Sequence, residues 1–255
     1  MNLVRTAAVV AALALTLAGC VAREQASDAP ATDEFTTEEQ ASTAAEPEEA
    51  EETSATEGDC GFTTEGANEE AKVGLPPDDG QATAATMTFT TSAGPIAVTL
   101  DANRAPCTVQ SMAFLAGEGF FDGTNCHRLT ASAGLKVLQC GDPNGDGSGG
   151  PGYVVPDEFP TDLPAGPDSG NGPTSIYGRG LVAMANAGPG TTGSQFFLVY
   201  GDSTLPPNYT VFGTMDPASL ATLDQIAAAG ITPGQGGAED GAPTAPVTIE
   251  SVAVA

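Results

Sequence analysis

The stretch CHRLTASAGLKVLQCGD, Cys126 to Asp142, concentrates the residue types in this chain that could do chemistry. It holds the chain's one histidine, His127, beside Arg128, and two cysteines, Cys126 and Cys140. The surrounding chain is acidic: 255 residues carry 33 Asp and Glu against seven Lys and Arg, for a formal net charge of −26. After residue 72 the other basic side chains are Arg104, Lys136 and Arg179. A guanidinium stays charged and presents a planar fork of donors, so Arg128 can be half of a salt bridge or a fixed cationic donor. His127 could be a base or a metal ligand.

Several chemistries are weak on inspection. Cys126, His127 and Cys140 could ligate zinc, but adjacent Cys-His is poor ligand spacing and no paired short-spaced Cys or His unit is present. DPNGDG, Asp142 to Gly147, matches the first half of a calcium loop, yet the twelfth position, where a bidentate glutamate belongs, is Tyr153. Ser194 has no G-x-S-x-G context, and His127 is the one imidazole available to it. No glycine-rich nucleotide loop precedes a helix with a suitable lysine. The net charge argues against nucleic acid and against electrostatic docking to anionic lipid. No metal and no cofactor is expected.

The N-terminus speaks to location. MNLVRTAAVVAALALTLAGC places Arg5 before an apolar run from Ala7 to Ala18, the layout of a secretory signal peptide and short of the ~20 residues of a membrane span. Its end, Leu17-Ala18-Gly19-Cys20, resembles a bacterial lipobox, in which cleavage leaves a lipidated Cys20. From Val21 to Asp59 the chain holds thirteen acidic residues, one arginine and one aromatic, Phe35. Such a segment cannot offset its chain entropy by apolar burial and is expected to be a disordered, self-repelling tether. The expected division is 1–20 signal peptide, 21–84 tether with an arm bearing Cys60, and 85–255 folded domain. The expected location is the extracytoplasmic face of the cell membrane, lipid-anchored.

With Cys20 set aside, Cys60, Cys107, Cys126 and Cys140 remain, an even number that suggests two disulfides with three possible pairings. If Cys126 and Cys140 lie on neighbouring strands they can pair, leaving Cys60 for Cys107. The elements around them read from periodicity. MTFTTSAGPIAVTLD alternates about a turn at Ser92 to Pro95, with Met87, Phe89 and Thr91 on one face and Ile96, Val98 and Leu100 on another. APCTVQSMAFLAGEG shifts to helical spacing through Val109, Met112, Ala113 and Leu115 or Ala116. DPASLATLDQIAAAG predicts a second helix, with Asp216 as cap and Gly230 as stop. Short glycine-bounded apolar runs between the helices, and PVTIESVAV at the end, predict a mainly β fold, a closed barrel with helical caps.

MANAGPGTTGSQFFL, Met184 to Leu198, resembles the signature run of the cyclophilins, the barrel-fold peptidyl-prolyl isomerases. FDGTNCHRL, QCGDPNGDGSGGPGY and STLPPNYTVFG fit the same family in the same order. The resemblance covers about residues 85–255, and the cysteine-bearing blocks resemble exported members from high-GC Gram-positive bacteria. It implies a closed antiparallel eight-stranded cyclophilin-like barrel capped by two helices, with Arg128 as the catalytic arginine. It also implies that Gln139 and Gln195 position substrate, and that Phe197 lines the proline slot with Val137, Leu205 and Tyr209. Ala185, Asn186 and Ala187 then pair with the substrate backbone, Gly147 borders a neighbouring groove, and His127 supports Arg128. The implied partner is a proline-containing segment of an exported protein, bound by a monomer. The family's usual R-x-x-P-x-F-M is replaced here by RLTASAGLKV, three residues longer, with Lys136 and Val137 standing for the Phe-Met pair. That departure motivates a second reading, a proline-segment-binding chaperone module with weak or no isomerase activity.

Overall fold

The computed structural model describes residues 60–64, 66–67, 73–77 and 85–255. The expected signal peptide and lipobox, and most of the expected tether, lie outside the described residues. The first hairpin joins β1 (Thr86–Thr91) to β2 (Gly94–Leu100) across Ser92 and Ala93. Its antiparallel register sets Met87 opposite Val98 and Phe89 opposite Ile96. Residues directly opposite share a face, so the two alternating sets, expected on separate faces, enter one core together. Helix α1 (Pro106–Gly117) starts at proline, whose missing N–H costs nothing in a first turn. The next two amides, of Cys107 and Thr108, donate to the Glu158 carboxylate at 3.0 and 2.9 Å, so a residue from a distant loop satisfies the helix start. Val109, Met112, Leu115 and Ala116 are buried.

The chain continues through β3 (Arg128–Thr130), β4 (Lys136–Cys140), β5 (Ser175–Tyr177), β6 (Leu181–Met184), β7 (Phe196–Gly201), β8 (Ser203–Leu205) and β9 (Val211–Met215). Helix α2 (Pro217–Ala229) follows; the Asp216 side chain accepts from the Ser219 amide at 2.7 Å, and Gly230 ends the helix at φ 94°. Ser219, Leu223 and Ile226 point into the fold at helical spacing. Next come β10 (Ile231–Gly234), β11 (Gly237–Pro243) and β12 (Ile249–Val254). The β10–β11 hairpin has no counterpart in the sequence reading.

Ten strands form one sheet in the order β10-β11-β3-β4-β7-β6-β9-β2-β1-β12, and β5 pairs with β8 apart from it. The fold is mainly β with two helices, as the sequence predicts. The strand count among the described residues exceeds the expected eight, and the named end strands β10 and β12 do not pair with each other.

Strand alternation builds two cores from one sheet. Leu138 and Cys140 of β4, with Phe196 and Leu198 of β7, enter the main core together with both helices. Val137 of β4 and Phe197 and Val199 of β7 face the other way, into a smaller cluster with Tyr177, Ala183 and Val211. Two disulfides tie the frame: Cys60–Cys107 holds the N-terminal arm to the start of α1, and Cys126–Cys140 joins the lead into β3 to the end of β4. The arm also pairs with the body where Thr63 bridges Val154.

Candidate active site

The outward face of β4 and β7 carries the candidate site. Arg128 on β3 lies directly opposite Gln139 on β4, and Gln139 lies opposite Phe197 on β7. Side chains that stand across neighbouring strands therefore meet without help from loops. A cavity of about 250 Å³ opens there, with Val137 and Phe197 on its floor, Leu205 and Tyr209 on one wall and Arg128 and Gln139 at the rim; Ala185 and Asn186 close it. Phe197 is 5% exposed, so the slot is built on a packed ring rather than a loose one.

Behind that ring stands Tyr177 from β5, fully buried. Its ring packs against Phe197 and Tyr209 at centroid distances of 6.3 and 6.2 Å, and those two lie 5.6 Å apart. The Tyr177 hydroxyl donates to the Tyr209 carbonyl at 3.1 Å and accepts from the Tyr209 amide at 3.2 Å. Burial pushes that hydroxyl up to about 12, so it stays a neutral donor and acceptor.

A polar relay runs along the rim. Arg128 Nε and Nη2 donate to the two Asp240 oxygens at 2.8 and 2.7 Å, and Nη1 donates to Gln139 Oε1 at 3.3 Å. Gln139 Nε2 donates to Gln195 Oε1 at 2.9 Å. Gln195 Nε2 donates to the Gly147 and Gly149 carbonyls at 3.0 and 2.9 Å. The two carbonyls fix the orientation of the Gln195 amide, which in turn fixes that of Gln139, leaving its oxygen for the arginine. Hydrogen bonding to Asp240 raises Arg128 above its ordinary value and holds the Asp240 carboxyl below its own. The salt bridge expected of any arginine in so acidic a chain is therefore present at this one.

Most of the residues singled out in the sequence share this region. Arg128, Val137, Gln139, Ala185, Asn186, Phe197, Leu205 and Tyr209 line the slot. Gly147, Ala187 and Gln195 line an adjoining groove with Gln139, Ala185 and Asn186, and Gly66 and Ala67 of the N-terminal arm lie at its edge. His127 sits apart from the slot, in a depression shared with Arg128, Asp146 and Gly147. Burial lowers its pKa, with Asp142 pulling the other way. Its Nδ1 has no hydrogen-bond partner among the described residues. Asp142, head of the half calcium motif, is buried and accepts from the amides of Asn144, Asp146, Gly147 and Gly149, so its carboxylate organises the loop that receives Gln195.

Three residues of the site escaped sequence reasoning. Leu135 lines the slot in place of Lys136. Strand alternation puts Leu135 and Val137 on the face of Gln139 and Lys136 on the other, so counting back three from Gln139 assigns the wrong residue to the wall. The alternation Leu135, Val137, Gln139 was the available signal. Tyr177 backs the Phe197 floor from β5, which pairs with β8 and, through Ser175, bridges Ala165. Asp240 arrives on the unforeseen hairpin, to which the Gln235-Gly236 turn was the one local clue.

Comparison with known proteins bears on the same region. The family model described as "Cyclophilin type peptidyl-prolyl cis-trans isomerase/CLD" matches residues 86–254. A "Probable peptidyl-prolyl cis-trans isomerase B" of Mycobacterium tuberculosis is 53% identical over 178 residues, 70% of this chain and 56% of that protein. The chain thus spans little more than half the length of this curated relative. A crystal structure of a cyclophilin type peptidyl-prolyl cis-trans isomerase of Cryptosporidium parvum is similar in fold, with a TM-score of 0.53 at 23% identity, over 68% of this chain and 98% of that one. A second structure of that isomerase, in the presence of the dipeptide Ala-Pro, gives 0.50 at 25% identity over 67% and 98%.

Proposed function

We propose, from the premise that the chain belongs to the cyclophilin type peptidyl-prolyl cis-trans isomerase family, that it isomerises X–Pro bonds in the slot beside Arg128. The observation that carries this is the placement of one guanidinium at the rim of an apolar slot floored by Phe197. Rotation of an X–Pro bond breaks amide resonance over a barrier of ~18–20 kcal/mol and needs no covalent step. In the twisted amide the nitrogen lone pair is localised. A held cationic donor beside it stabilises the transition state more than the planar ground state. Phe197, Val137, Leu135, Leu205 and Tyr209 hold the proline ring. Ala185, Asn186 and Ala187 offer their backbone to the flanking chain, and Gln139 and Gln195 set the rim. His127 supports Arg128 from outside the slot. The Ala-Pro dipeptide used with the Cryptosporidium protein is the minimal ligand of this chemistry.

The substrates are proline-containing segments of exported proteins, met by a monomer on the extracytoplasmic face of the cell membrane, anchored by a lipid on Cys20. The signal-peptide layout and the L-A-G-C run support this, and two disulfides suit an oxidising compartment. The division into 1–20, 21–84 and 85–255 goes with it. The closed eight-stranded ring is read as β3-β4-β7-β6-β9-β2-β1-β12. Its support is the backbone bonds Gly123 N to Ile249 O, Ile249 N to Thr124 O and Cys126 N to Val247 O, at 2.7, 2.8 and 2.9 Å. A second reading, a proline-segment binder with little turnover, draws on the bidentate hold of Asp240 on Arg128. A proline-peptide isomerisation assay with parallel peptide binding separates the two: turnover favours the enzyme, tight binding without turnover the module.

A further inference from the structure

We propose that Asp240 is a positioning residue for Arg128: it fixes the plane of the guanidinium so that the remaining Nη donors face the slot. This rests on the isomerase reading above. Asp240 on β11 pairs with Thr130 of β3, and Gly241 pairs with Leu129. Arg128 is two residues from Thr130 and so on the same face, one diagonal step from Asp240, within reach of a long side chain. Both carboxylate oxygens engage the guanidinium, on Nε and Nη2, while Gln139 holds Nη1. Two bonds on one edge and one on another leave a planar group no free rotation.

The hairpin is shaped to deliver this carboxylate. A Cβ on Gly236 would stand 2.7 Å from Cβ, Cγ and Oδ2 of Asp240, so the aspartate side chain lies where a side chain at 236 would be. A Cβ on Gly241 would stand 2.1 Å from the Thr232 carbonyl, so a glycine there lets β10 and β11 close beside the aspartate.

Asp240 could instead act as a brake, since it partly neutralises the cation. The side chains of Arg128 and Asp240 are 39% and 28% exposed, so water screens the carboxylate's pull on developing charge. Orientation is not screened. A misplaced donor loses its effect steeply with distance, and the positioning effect therefore dominates.

The test uses the full chain with Asp240→Asn, Asp240→Glu and Gly236→Ala. Asp240→Asn is expected to lower kcat roughly 10- to 100-fold with KM within about twofold. Asp240→Glu restores part of the loss, and Gly236→Ala, which displaces the carboxylate without removing it, gives a smaller fall. The Arg128 Nε–H resonance, protected from solvent exchange in the parent, broadens in Asp240→Asn while the thermal midpoint holds. An Asp240→Asn kcat equal to or above the parent's overturns the proposal, and so does an Nε–H signal unchanged by the substitution. A parent without turnover fails the isomerase reading instead, and the Nε–H comparison still decides whether Asp240 positions the arginine.

Discussion

Replacing Tyr177 by phenylalanine removes one oxygen atom and leaves the ring where it stands. That oxygen bonds the Tyr209 carbonyl at 3.1 Å and the Tyr209 amide at 3.2 Å, with the Pro206 carbonyl at 3.4 Å. Each such bond contributes about 1 kcal/mol net, and a partly buried amide left without a partner costs more, so the loss totals roughly 1–3 kcal/mol. It falls on a loop, because residues 206–210 join β8 to β9 outside any strand. Tyr209, on the outer wall of the slot, loses its anchor, whereas Leu205 keeps its place on β8 and Arg128, Gln139 and Phe197 keep theirs on β3, β4 and β7. Denaturant unfolding should therefore show a fall of roughly 1–3 kcal/mol. Proline-peptide kinetics should show KM raised roughly 3- to 10-fold with kcat within twofold, since ~1.4 kcal/mol is a factor of ten. Stability within about 0.3 kcal/mol of the parent together with an unchanged KM would refute the anchor, because both bonds would then be replaced by water at no cost. A fall in kcat alone would place the loop in the chemical step instead.

Other perturbations test the remaining parts. Leu135→Ala should raise KM roughly tenfold by removing apolar wall, while Lys136→Ala leaves it within about twofold; the reverse order in peptide kinetics would restore the register inferred by counting. The one imidazole gives a single NMR titration, expected with a midpoint below the ordinary ~6.5 because burial disfavours its charged form. The folded value being depressed, the contribution of His127 to stability is complete above ~6.5 and is lost as pH falls through the folded value, so thermal midpoints of the parent should drop across that window and a midpoint at or above ~6.5 would contradict it. Replacing Cys126 and Cys140 together by serine opens a loop with a sequence separation of 14. The chain-entropy model gives about 3 kcal/mol, or a fall of roughly 6–12 °C in Tm for a domain of this size; no change in a calorimetric scan would mean that the β3–β4 pairing holds without the staple.

Local patterns made parts of this molecule legible in advance. α1 and α2 follow from apolar spacing with a proline at the start, and α2 also from the Asp216 cap and the Gly230 stop, all effects that act within a few residues. The first hairpin follows from alternation, although which sets share a face required the register of the pairing. The blocks around Arg128, Gln139, Gln195 and Phe197 lie on β3, β4 and β7, where neighbouring strands bring them together. What stayed hidden depends on long-range placement. Leu135 is the exception, since the alternation that turns Val137 and Gln139 to the slot points to it as well. Tyr177 and Phe197 are twenty residues apart and on different sheets. Asp240 meets Arg128 across a separation of 112 residues, on a glycine-rich hairpin whose strand character comes from pairing with β3 rather than from side-chain propensity.

The guanidinium of Arg128 is the group on which isomerisation in the slot depends. In an isomerisation assay on a proline peptide, the parent chain should accelerate the cis-to-trans step well above the uncatalysed rate. Arg128→Ala should retain peptide binding and lose roughly 10²- to 10³-fold in kcat, the scale of removing one preorganised donor from a transition state. A parent rate equal to background, or an Arg128→Ala rate equal to the parent's, would contradict that dependence.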